Sequence, residues 1–84
     1  AAETDAMLAE LRALDTQAER LRSAGLPLAT ERVALATSAY QAGRGDLAAV
    51  LTARSQVLET QLRAIDLDAQ RAALRLRLST LIAE

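Results

Sequence analysis

The sequence predicts an all-α fold in which two long antiparallel helices form a coiled-coil hairpin. Three observations predict it. Ala, Leu, Arg, Glu and Gln dominate the 84 residues, and these are strong helix formers. Residues that interrupt helices are few: Gly25, Gly43, Gly45 and one proline, Pro27. Apolar residues recur every seven positions over long stretches, in alternating steps of three and four.

The first helix is expected over about residues 4 to 42, carrying the line Met7, Leu14, Leu21, Leu28, Leu35, Ala42, with Leu11 and Ala18 beside its early part. Pro27 falls inside it. A proline there removes one backbone bond to the Ser23 carbonyl at a cost of roughly 3 kcal/mol. Because the line passes through Pro27 without slipping, a kink at Gly25-Leu26-Pro27 is expected within one helix. The alternative is a true break, with Pro27 opening a new helix. The tip is residues 43 to 46. The second helix, about 46 to 83, shows Leu51, Leu58, Ile65 and Ala72 at seven-residue spacing, interleaved with Leu62, Ala69 and Leu76. Each helix would span about 57 Å at 1.5 Å per residue, and so short a connection forces an antiparallel pair.

Both helices are apolar on more than one side. Leu67, Leu74, Leu78 and Leu81 stand two residues out of phase with the Ile65 line, which turns them about 200° around the axis. Leu26, Val33 and Tyr40, with Ala29 and Ala36 beside them, likewise lie away from Leu28 and Leu35. One hairpin covers one face per helix, so Leu26, Val33, Leu67, Leu74, Leu78 and Leu81 are expected to form an assembly face covered by neighbours. The isolated hairpin is then expected to self-associate. A structure in which Leu26, Val33, Leu67, Leu74 and Leu78 all tuck inside a lone hairpin would end the proposal that the hairpin packs as one stave among others.

Composition excludes several functions. There is no Cys and no His, so thiolate metal sites and His-dependent nucleophile or metal constellations cannot be built. Asp and Glu are spread along the chain rather than converging. Neither catalytic residues, nor a metal site, nor a cofactor is expected, and the chain does not read as an enzyme. All ten basic residues are arginine, against eleven acidic ones, for a net charge of −1. That balance, with Tyr40 as the one aromatic, argues against nucleic-acid binding. No stretch is long and apolar enough to span a membrane. Glu59 with Arg63 and Asp68 with Arg71 have the spacing of surface ion pairs. The chain begins and ends inside helix-like sequence, so it is expected to be a piece excised from a longer protein.

At the tip, Gly43 suits the left-handed residue that follows a helix, Asp46 suits the cap of the next helix, and Gly45 frees the backbone between them. Arg44-Gly45-Asp46 is also the tripeptide read by adhesion receptors. Turning the chain already explains three of the four residues from Gly43 to Asp46, so the turn is preferred. Arg44 is left projecting without a local use.

The order Leu26-Pro27, Tyr40, Gly43, Leu47, Val50-Leu51, Ala53-Arg54 resembles the second long hairpin of TolC-family outer-membrane efflux proteins. Its texture is closest to the heavy-metal branch, the CzcC- and CusC-like proteins. The resemblance covers residues 26 to about 78. It departs at Ala49, where many relatives carry Asp, so a tip network using that carboxylate is not expected here. The resemblance implies a trimeric duct in which such hairpins pack side by side in the periplasm of a Gram-negative bacterium, below an outer-membrane barrel. It also implies that the tip, here Tyr40, Gly43, Arg44, Gly45, Asp46 and Leu47, meets the helical hairpin of a periplasmic adaptor protein of a tripartite pump. Two alternatives stand beside it: the hairpin of the adaptor itself, and a coiled-coil interaction module of unrelated function.

Overall fold

A computed structural model describes residues 1–83. The fold is an all-α hairpin measuring 63 × 15 × 14 Å along its principal axes. The first rod comprises α1 (Ala2–Arg20), one π-helical turn (Leu21–Gly25) and α2 (Leu26–Gln41). The second is a single unbroken helix, α3 (Leu47–Ala83), of 37 residues. Both α1 and α2 pack along α3, so the rods are antiparallel over their length.

Pro27 neither breaks the rod nor leaves its register intact. Gly25 and Leu26 keep right-handed helical dihedrals, and the Leu26 amide donates to the Leu21 carbonyl, five residues back. The physical cause lies in the proline, which has no N–H for the Ser23 carbonyl and whose ring crowds that oxygen in a regular turn. A wider turn relieves the crowding by admitting one extra residue. The consequence is a one-residue slip. Before it the inward residues are Met7, Leu11, Leu14, Ala18 and Leu21; after it they are Leu26, Ala29, Val33 and Ala36. The straight line through Leu28 and Leu35 expected from the sequence is therefore wrong, and Leu35 is 64% exposed.

The same correction applies to α3. Its inward residues are Val50, Ala53, Val57, Thr60, Ala64, Leu67, Arg71, Leu74 and Leu78, again in steps of three and four. Leu67, Leu74 and Leu78, expected on the assembly face, are buried in the hairpin's own core with Met7, Leu14 and Ala18. Leu26 and Val33, expected on the same face, are half-buried against α3. Of that set only Leu81 is exposed. The line expected to be the seam, Leu51, Leu58, Leu62, Ile65 and Leu76, faces outward instead. Leu26, Val33, Leu67, Leu74 and Leu78 thus all tuck inside the lone hairpin, and the assembly argument drawn from those residues fails; the apolar surface left outside is a different one, carried by Leu28, Leu35, Leu51 and Leu58. The seam is Leu-rich far from the tip and built from Ala, Val and Thr near it.

Candidate functional site

The tip is a tightly determined turn. Gly43 has φ of +75°, the left-handed conformation that closes a helix at little cost only for glycine. The Gly43 amide donates to the Tyr40 carbonyl at 3.0 Å and the Arg44 amide to the Ala39 carbonyl at 2.8 Å, the paired bonds of a Schellman motif. The Gly45 amide donates to the same Ala39 oxygen at 3.2 Å, bringing the chain against the end of α2. A Cβ on Gly45 would stand 3.2 Å from the Ala39 Cβ, a tight contact that the neighbouring chain would have to yield to, so the close approach favours glycine here. Asp46 then opens α3, its Oδ1 accepting from the Ala49 amide at 2.7 Å.

These bonds bear on the adhesion tripeptide. One carboxylate oxygen of Asp46 is committed to the helix cap, which favours the turn. Arg44 and Leu47 are exposed, Tyr40 is exposed one turn before the tip, and Arg44 makes no side-chain hydrogen bond or ion pair among the described residues. The six tip residues named from the sequence therefore form one contiguous exposed end of the rod.

The flanks are the second feature. Leu58 borders a groove with Thr30, Val33, Arg54, Val57 and Gln61, which puts it on the Thr30 side of the hairpin. Leu28 and Thr30 stand one position before and after the inward residue Ala29, about 100° to either side of it. Leu28, and Leu35 seven residues on, thus lie on the opposite flank from Leu58. Exposed leucines occupy both sides of the rod.

Charge is organised across the seam in a way the spacing did not reveal. Arg71 is an inward residue of α3 with its side chain only 17% exposed. Its Nε donates to Asp15 Oδ1 at 2.6 Å and its Nη1 to Asp68 Oδ1 at 2.9 Å. Arg75 Nη2 donates to the same Asp15 oxygen at 3.2 Å, and Arg22 closes the chain on Asp68 Oδ2. The Asp15 bond, above all, raises the Arg71 pKa; burial opposes this, and the charges of Asp15 and Asp68 and the Asp68 bond add to it. A raised arginine stays charged at every pH below its unfolded value, so the Arg71 guanidinium keeps its charge throughout the usable pH range. Asp68 and Arg71 are therefore part of an interhelical network rather than a surface pair. Among the described residues Glu59 and Arg63 form no ion pair. The overlooked signal was Arg71 itself, a lone charge on the seven-residue line Val50, Val57, Ala64, Leu78.

Among the described residues no group of three acidic side chains could hold a metal ion, and no helix is long and apolar enough to cross a membrane. Comparison of the chain with protein families, curated proteins and solved structures returns no match. The chemistry the hairpin offers is that of contact: an ordered tip, two apolar flanks and a polar clasp.

Proposed function

We propose that the hairpin is a wall and docking element of a TolC-like outer-membrane efflux duct. Its flanks would pack against neighbouring hairpins in the periplasm, and its tip against the helical hairpin of an adaptor in a tripartite pump. The cargo class favoured by the sequence resemblance is heavy-metal ions. The observation that carries the reading is apolar surface on opposite sides of the rod, beyond what its own seam hides. A stave between two neighbours needs such surface, whereas a hairpin acting alone does not. The compact glycine tip supports the docking half, since Gly43 and Gly45 keep side chains away from an approaching helix pair.

Replacement of either glycine by Leu is expected to weaken adaptor binding while both helices persist, yet both also shape the turn. Arg44→Glu is the cleaner test because Arg44 projects freely. Binding of a purified adaptor hairpin, measured by titration calorimetry, should weaken in Arg44→Glu with unchanged helix content. Undiminished binding in all three variants would remove the docking role. Any sequence found to flank these 84 residues would separate the readings: strands of alternating pattern favour the duct, a lipoyl-like β-domain the adaptor, and neither the unrelated module.

A further inference from the structure

We propose that the Arg22–Asp68–Arg71–Asp15–Arg75 network selects which of two seams the hairpin closes on. The chain carries both. One is the observed seam, which needs the π-turn. The other is the straight seven-residue line of the first rod, Met7 through Leu28 and Leu35, facing Leu58, Leu62 and Ile65 of α3.

Burial alone does not decide between them uniformly. Near the tip the observed seam hides small side chains such as Ala29, Val50 and Ala53, while larger ones, Leu28, Leu58 and Leu62 among them, remain outside. There the second seam would bury more apolar surface. Far from the tip the preference reverses, because Leu67, Leu74 and Leu78 are already packed on Met7 and Leu14. Since α3 is one unbroken helix, its rotational phase is shared by both halves. The far half therefore dictates to the near half.

The ionic network lies in that far half and exists in one phase only. Moving Leu58 and Leu62 inward requires α3 to turn by roughly 150°. That turn carries Arg71 and Arg75 away from Asp15, and Asp68 away from Arg22. Pro27 acts in the same direction, since the straight line needs a regular turn where the proline favours the wide one. Without these two devices, only the far-half packing of Leu67, Leu74 and Leu78 on Met7 and Leu14 opposes the leucines near the tip, and the second seam becomes populated. The hairpin is thus built as a two-position element whose exposed flank depends on a polar clasp at its far end.

The chain has no cysteine, so introduced pairs report the seam directly. Val33→Cys with Val57→Cys samples the observed seam, as both border one groove. Leu28→Cys with Leu62→Cys sits one step further from the tip, in the same antiparallel register, and samples the second. Oxidation of the 84-residue chain at low concentration, read on the monomer band, should join only the first pair. Asp15→Asn with Asp68→Asn removes the network while keeping side-chain shape, and Arg71→Gln removes its central charge without adding apolar surface to the observed seam. In both backgrounds the first crosslink is expected to fall and the second to appear, increasing further with Pro27→Ala. Persistence of the first pair alone in both backgrounds would overturn the proposal. So would loss of the first without gain of the second, which is what a merely stabilising network would give.

Discussion

Leu74→Ala and Leu58→Ala form a matched pair that separates the observed seam from the one the heptads suggested. Leu74 is 5% exposed and lies in the core cluster, whereas Leu58 is 60% exposed. Shortening Leu to Ala removes three carbons, worth about 0.8 kcal/mol each when fully buried, so Leu74→Ala should cost at least about 2 kcal/mol. A cavity term adds to this, although a narrow hairpin can partly collapse around the gap, so the value belongs near the low end of the usual 2–5 kcal/mol. At Leu58 less than half of that area is hidden, and the loss should be about 1 kcal/mol at most. For a chain of this size each kcal/mol moves Tm by about 4–8 °C, so Leu74→Ala should lower Tm by roughly 10 °C or more. Urea and thermal unfolding followed by far-UV circular dichroism, at concentrations low enough to suppress association, measure both. Equal losses, or a larger loss at Leu58, would refute the burial pattern described above.

Other outcomes follow from single contacts. Asp46→Ala should cost about 1 kcal/mol by orphaning the Ala49 amide, with Asp46→Asn largely rescuing it; equal loss in both would contradict a capping role. Gly43→Ala should cost roughly 1–2 kcal/mol because a side chain must adopt the left-handed conformation, and an unchanged unfolding midpoint would contradict that conformation. Asp15→Asn should lower stability more in dilute buffer than at 1 M salt, because most members of the network are partly solvated; a salt-independent loss would indicate a packing role for Asp15 instead.

Much of this hairpin was legible in the residues. Helix formers, sparse glycines and heptads gave two antiparallel rods, and Gly43, Gly45 and Asp46 gave the tip with its bonding roles. The choice of seam was not legible, for a physical reason. Near the tip Leu51, Leu58, Leu62 and Ile65 form a more apolar line than Val50, Ala53, Val57 and Thr60, whereas far from it Leu67, Leu74 and Leu78 outweigh Ala69, Ala72 and Leu76, so hydrophobicity alone points both ways. Two further features accompany the observed seam. Pro27 widened one turn and shifted the frame by a residue, and Arg71 found carboxylates on both helices, which made a charged position acceptable on the inner line. Both residues were visible, but their effect depends on the opposing helix, and no pattern within one helix contains that information.

The central claim is that this hairpin exposes more apolar surface than it can hide, so that it acts among neighbours. Sedimentation velocity over a wide concentration range tests it most directly, comparing the natural chain with one carrying Leu51→Gln, Leu58→Gln and Ile65→Gln. The natural chain should sediment faster as concentration rises while the substituted chain, equally helical, stays monomeric. A natural chain that remains strictly monomeric at the highest concentrations would contradict the account.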